Sequence, residues 1–163
     1  MSNSSVLKFF LLASAAVIGL ASCEKNNPLT VDDVTGTYSG QMTISVGETP
    51  GEPAADEIII SKVSENAVSI TIEDFTFMGA INVGDVTLSN CTLTAVGEDS
   101  FTISGNETLT LSPMGMEMTA DVSITSGTVD ASTVSLDLSI AAEMLGTPIN
   151  VTVNFEGTKP AAE

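Results

Sequence analysis

Histidine, arginine and tryptophan are all absent from this chain of 163 residues, and each absence excludes a class of function. Without histidine, Ser-His-Asp and Cys-His nucleophiles lack their base, and a zinc site lacks its usual ligands. The only basic side chains are four lysines, against 21 carboxylates. Nucleic acid binding requires basic groups that displace counterions from phosphates, so this chain is not a nucleic acid binder.

Aromatic side chains are scarce as well, with one tyrosine and six phenylalanines. A pair of carboxylates can hydrolyse glycosides, but that chemistry normally uses aromatic platforms for the sugar. Adjacent acids such as Asp32-Asp33 and Glu98-Asp99 do not have the spacing of a calcium loop, and we interpret them as solvated loops. We therefore predict that the protein is not an enzyme, needs no cofactor and has no metal site.

The single long apolar run, Phe9 to Ala21, follows Lys8 at the N-terminus and is shorter than the roughly 20 residues that span a bilayer. It ends in Leu20-Ala21-Ser22-Cys23, which resembles the lipobox of bacterial lipoprotein signal peptides. The alternative is an ordinary secretory signal with Cys23 as an incidental thiol. We predict a lipoprotein signal peptide over residues 1–22 and lipid modification of Cys23.

An acylated cysteine anchors a domain to a lipid bilayer because each buried CH₂ contributes roughly 0.8 kcal/mol. Removing residues 1–22 takes away Lys8 and no acid, so the formal net charge changes from −17 to −18. Residues 23–33 are predicted to be the lipidated cysteine and a polar tether. We expect the protein in the cell envelope, held at the outer membrane. The residues after Cys23 do not indicate which face.

Beyond the tether, apolar and polar residues alternate with a period of two, which predicts half-buried strands joined by tight turns. The stretch Phe75 to Asp85 is less regular. After it, Val86, Leu88, Leu93 and Val96 mark one or two further strands, with a phase change near Asn90. In the predicted strand Glu57 to Val63, three isoleucines run together at 58–60. In six other stretches the apolar residues share one parity: Tyr38, Met42, Ile44 and Val46; Val68, Ile70 and Ile72; Phe101, Ile103, Leu109 and Leu111; Met116, Met118, Ala120, Val122 and Ile124; Val134, Leu136, Leu138 and Ile140; Ile149, Val151, Val153 and Phe155.

Eight or nine strands with one apolar face each can form an up-and-down barrel or a two-sheet sandwich. Short connections favour sequential antiparallel pairing, and closure removes exposed sheet edges. A membrane-spanning barrel also alternates, but it carries aromatic girdles that this chain lacks. We predict an all-β, eight- or nine-stranded antiparallel barrel over residues 34–159.

Three short motifs resemble the calycin-like β-barrel domain of lipoproteins from Gram-negative gut bacteria. They are Gly36-Thr37-Tyr38-Ser39-Gly40, the central Phe75-Thr76-Phe77 with Val83-Gly84-Asp85-Val86, and Phe155-Glu156-Gly157-Thr158-Lys159. The resemblance implies a lipocalin-type meander barrel and carries over no catalytic residues. The early Gly-x-Trp of lipocalins is Gly-Thr-Tyr here.

Candidate ligand-binding residues are Glu107, Met42, Met116 and Met118. Glu107 shares the inward parity of its strand, and Gly105 leaves a gap on the same face, so the carboxylate is placed to hold a polar group of an apolar ligand. The alternative is a bulge near Gly105, or a barrel-end position where Glu107 reaches water. Methionines suit an adaptable pocket but fill ordinary cores equally well.

Two functions follow from these observations. The first is a membrane-anchored module that binds a small apolar or amphipathic ligand in the barrel. The second is a structural or interaction protein with a filled barrel, which docks a protein partner in the envelope. Cys91, which has no histidine or arginine to activate it, is predicted to be a buried small residue in either case.

Overall fold

A computed structural model describes residues 27–77 and 80–161, so the predicted signal peptide and Cys23 lie outside the described residues. Within that part no helix is long and apolar enough to cross a membrane. The elements are α1 Val31–Val34, β1 Gly36–Val46, β2 Ala54–Ser64, β3 Ala67–Phe77, β4 Ile81–Val96, β5 Ser100–Ser104, β6 Asn106–Leu111, a 3₁₀ turn at Pro113–Gly115, β7 Met118–Val129, β8 Thr133–Met144 and β9 Thr147–Thr158.

The strands pair in the order β5-β4-β3-β2-β1-β9-β8-β7-β6, and neighbouring strands in this order are antiparallel. An additional pairing of β5 with β7 closes the sheet on itself. Because only Gly105 separates β5 from β6, these two short strands occupy one position in the wall. The fold is therefore a closed eight-stranded antiparallel barrel with one additional strand, which confirms the predicted class.

The inward side chains fill the barrel with one hydrophobic core. In β8, for example, Val134, Leu136, Leu138 and Ile140 are all buried, whereas the residues between them are partly exposed. Complete burial of such a side chain contributes about 1.5–3 kcal/mol. The alternation of apolar and polar residues in the sequence thus places the apolar side chains in the packed interior and the polar side chains on the solvent-exposed outer face.

The two ends of the barrel differ. The end that we call the helix end carries α1 and the turns at 65–66, 97–99 and 130–132. The opposite end, which we call the mouth end, carries the loops at 47–53, 112–117 and 145–146. Because residues 27–30 precede α1 and Lys159 follows β9, the described chain both enters and leaves at the helix end.

The helix end is closed by α1, whose Val31 and Val34 are buried in the core. The hydroxyl of Tyr38 donates to the carbonyl oxygen of Val34 at 2.9 Å and lies 3.2 Å from that of Asp130. Lys159 Nζ donates to the carbonyl oxygens of Asp33 at 2.5 Å and Thr35 at 3.0 Å. Residues 31–33 of the predicted tether belong to this helix, so any spacer segment lies before it.

Candidate functional site

An apolar depression opens at the mouth end, where the inward side chains of six strands meet. Every residue that lines it is apolar, and the enclosed volume is about 40 Å³. That volume holds a few water molecules, whereas pockets for small molecules measure about 300–1,000 Å³. Since the buried inward side chains form one continuous core, the depression is a shallow seat at the end of a packed interior. Its lining includes Phe75, Val83, Leu111, Met118, Met144 and Ile149.

Large apolar side chains project from the rim of this depression. Met114 is 80% exposed, Met116 49% and Leu145 89%. Met114 and Leu145 also have left-handed backbones, with φ of 54° and 51°, and each precedes a glycine with φ of 80°. A side chain in this conformation costs roughly 1 kcal/mol, and such turns usually carry Asn or Asp before Gly. Strain combined with apolar exposure marks these two loops as candidates for binding.

The wall beside the depression has a seam between β4 and β6. Thr92 to Val96 of β4 pair with β5, whereas β6 pairs with β7. In the described part of the chain, no backbone ladder joins the first half of β4 to β6. We call this interval the seam, because no backbone ladder crosses it.

Glu107 bridges the seam with its side chain. Its carboxylate accepts hydrogen bonds from the Ser89 backbone N–H at 2.5 Å and from the Ser89 hydroxyl at 3.1 Å. Ser89 lies in a bulge of β4, because the register against β3 shifts between Leu88 and Cys91. The half-buried Glu107 thus holds an amide that the ladder leaves unpaired.

The structure separates the predicted ligand-binding residues. Met118 lines the depression and Met116 stands at its rim, whereas Met42 is buried in the core opposite Phe155. The carboxylate of Glu107 faces Ser89 rather than the depression. Their roles in binding stay predictions. The lipidation site Cys23 lies outside the described residues.

Leu145 was missed by sequence reasoning, although it is the most exposed large apolar side chain in the described part of the chain. The sequence feature that could have indicated its exposure is the β8–β9 turn, where Leu145-Gly146 stands in place of the usual Asn-Gly. Alternation identifies which residues face inward within a strand. It does not show which loops meet at one end of the barrel.

A second, polar depression of about 640 Å³ lies at the helix end, between residues 27–33 and two turns. Its central acid, Asp130, accepts hydrogen bonds from Ser132 and Thr133. Burial acts to raise the pKa of Asp130, but these hydrogen bonds outweigh it and lower the pKa to about 2. The described residues contain no group of three or more metal-ligating side chains. By accepting the backbone N–H groups of Ser132 and Thr133, Asp130 organises the β7–β8 turn.

Comparison with known proteins identifies the same architecture. The family model described as calycin-like beta-barrel domain matches residues 34–158. A crystal structure from Bacteroides fragilis, provisionally described as an outer membrane protein, superposes with a TM-score of 0.58 at 24% identity. The match covers 79% of this chain and 52% of that one, so this chain spans about half the length of that protein.

A second solved structure, a redesigned β-barrel, matches with a TM-score of 0.36 at 13% identity. The match covers 76% of this chain and 92% of the designed chain, and its TM-score is too low to support a conclusion about fold or function. No curated protein matches this sequence.

Proposed function

Because the chain belongs to the calycin-like β-barrel domain family, we propose that it is a cell-envelope lipoprotein, anchored through acylated Cys23, whose barrel binds an apolar or amphipathic molecule at its mouth. The observation that supports binding is the wholly apolar depression with Met114, Met116 and Leu145 exposed around it. The proposed activity is binding without catalysis or cofactor.

The topology supports an orientation for this anchored barrel. A lipid on Cys23 lies just before the segment that enters at the helix end, so the helix end faces the bilayer. Strands of 11 or 12 residues at about 3.3 Å per residue, tilted as in small barrels, set the mouth about 30 Å further out. The bound molecule therefore arrives from the aqueous side. The Bacteroides fragilis barrel, with its provisional outer-membrane description, agrees with the proposed placement at the outer membrane.

The anchor is tested with Cys23→Ser in the full chain, expressed in a Gram-negative host fed a labelled fatty acid. We expect the natural chain to carry the label and to sediment with membranes, and the variant to lose both properties. Cys91→Ser is the matched control, because it removes the other cysteine and should keep the label. Label retained in the Cys23→Ser chain would contradict the anchor.

Binding at the mouth is tested by titrating the full chain carrying Cys23→Ser with Nile red, an uncharged apolar dye. The double variant Met114→Asn, Leu145→Asn should bind at least about fivefold more weakly, since it removes two exposed apolar contacts. The control Val63→Asn, Val96→Asn removes two apolar residues exposed by 53% and 52% near the helix end. Equal losses in both variants would contradict a site at the mouth.

The filled interior favours a second candidate, in which the mouth docks a protein of the envelope. A photo-crosslinking residue at position 145 should then yield a discrete protein adduct in the native host, and one at position 63 should not. Adducts from both positions, or from neither, would count against this candidate.

A further inference from the structure

Acidic side chains alternate with the apolar residues that form the mouth. Glu117 lies between Met116 at the rim and Met118 in the lining, and Glu143 lies between Ala142 and Met144, both in the lining. Ala120 of β7 pairs with Ala142 of β8, so Met118 and Met144 lie at the same level of the wall. Both glutamates are exposed at the mouth end, Glu117 in the loop just before β7 and Glu143 near the end of β8.

The same acidic character extends around the rim. Glu48 and Glu52 are exposed in the β1–β2 loop, which lies at the mouth end. Together with Glu117, just before β7, and Glu143 on β8, they give the mouth end of the barrel four exposed acids.

The lysines in the described part of the chain lie at the other end. Lys62 pairs with Asp32 at 2.8 Å and Glu65 at 2.9 Å. Lys159 is held by the carbonyl oxygens next to α1. Over residues 27–77 and 80–161, the mouth therefore carries acids without a lysine to offset them.

An apolar depression beside exposed acids matches the two parts of a cationic amphiphile, its hydrocarbon chain and its charged head group. The end of a hydrocarbon chain contacts Met118, Met144 and Ile149 in the depression, and the rest of the chain lies over the exposed apolar side chains of the mouth. The head group is then left at the rim, where Glu117 and Glu143 are exposed. There a positive head is attracted and a negative head is repelled, and both effects weaken as salt increases.

Resting on the proposed function, we infer that the mouth selects single-chain amphiphiles with a cationic head group and rejects those with an anionic head group. The apolar depression supplies affinity for the chain, and Glu117 and Glu143 supply the discrimination between heads.

The experiment compares three probes that share one decyl chain: decyltrimethylammonium, decyl maltoside and decyl sulfate, each below its critical micelle concentration. The protein is the full chain carrying Cys23→Ser, and binding is followed through the methionine methyl resonances in NMR spectra. Binding at the mouth shifts the methyls of Met116, Met118 and Met144, and leaves that of the buried Met42 unshifted.

At about 20 mM salt we expect the cationic probe to bind at least about tenfold more tightly than the anionic probe, with the neutral probe between them. The double variant Glu117→Gln, Glu143→Gln should reduce this ratio at least about threefold. The control Glu98→Gln, Asp99→Asn changes the net charge equally but at the helix end, and should reduce it less.

Two results would overturn the inference: an anionic probe that binds as tightly as the cationic one, or a control variant that lowers the ratio as much as the mouth variant. Both leave the proposed function standing if decyl maltoside still shifts the mouth methyls. Failure of all three probes to bind would instead overturn the proposed function itself.

Discussion

Tyr38 joins three parts of the helix end, because its hydroxyl contacts the carbonyl oxygens of Val34 and Asp130 while its ring is fully buried. Lys159 Nζ lies 5.9 Å from the centre of the ring. A phenol in this setting resists ionisation: burial, with a smaller contribution from the charge of Asp130, raises the pKa of Tyr38 to about 12.

A pH prediction follows for this single tyrosine. Its unfolded pKa is near 10, so ionisation above that pH favours the unfolded chain. The free energy of unfolding should carry the full Tyr38 contribution below pH 10 and lose it as pH rises from 10 to 12. Because the chain has one tyrosine, tyrosinate absorbance reports the ionisation of Tyr38 alone. The midpoint of this ionisation should lie about two pH units higher in the folded protein than in urea.

The control is Tyr38→Phe, which should be less stable at neutral pH by about 1–3 kcal/mol because it leaves buried carbonyl oxygens without their donor. It should also lose the tyrosine-dependent fall of stability at high pH. A folded-state midpoint near 10 would contradict the burial of the hydroxyl.

Cys91 is 1% exposed, and burial, with the nearby charge of Glu107, raises its thiol pKa to about 11. Since the thiolate is the reactive form, Cys91 should resist iodoacetamide at pH 8 in the folded Cys23→Ser chain. It should react readily once urea unfolds the protein. Mass spectrometry of the alkylated chain measures both states, and rapid labelling of the folded protein would contradict the burial.

Among the elements, β1 and β9 approach most closely where two glycines face each other. Gly40 pairs with Gly157, and a Cβ on Gly40 would overlap the carbonyl oxygen of Glu156 and lie 2.5 Å from Gly157 Cα. Both contacts are to backbone, so neither can move aside without displacing a strand.

Gly40→Ala should therefore destabilise the protein by at least about 2 kcal/mol, measured by urea unfolding. The neighbouring Gln41→Ala, at an exposed position of the same strand, should change stability by no more than about 0.5 kcal/mol. Similar effects of the two substitutions would show that the strands can separate at this point.

The elements also show what alternation can predict. In β8 alternation predicts the four buried residues Val134, Leu136, Leu138 and Ile140, because the strand is regular and its outer face is exposed to water. It does not predict Ala142 and Met144, which continue the inward face into the mouth. In β4 the phase change near Asn90 was identified, and the structure shows one long strand with a bulge at that position. Helix α1 was missed, because four residues are too few to show a helical period, although Thr30 and Asp33 form a capping box.

At the scale of the whole molecule, the strand count and the barrel could be predicted because every strand has one apolar face. The mouth could not, since it depends on which strand ends share one end of the closed barrel. Glu107 illustrates the difference: parity predicts an inward position, and the residue pairs with the buried Val122, but parity does not show that its carboxylate contacts Ser89 across the seam.

Charge acts on the whole molecule as well. The full chain has a formal net charge of −17, and self-repulsion opposes the compact state. Raising sodium chloride from about 20 to about 200 mM should therefore raise the melting temperature of the Cys23→Ser chain by about 2–5 °C, measured by circular dichroism. An equal osmolality of sucrose controls for solvent effects that do not depend on charge, and a melting temperature that falls with salt would contradict this account.

The pairing of β1 with β9 also determines when the barrel can be completed. Ser39 lies opposite Thr158, so the first strand acquires its second neighbour only from the last strand. A chain that emerges N-terminus first keeps β1 as an open edge until almost all of it is available, and contacts between such distant residues form slowly. Closure is then a property of the finished polypeptide, and a product truncated before β9 would expose the edges of β1 and β8 to aggregation and proteolysis.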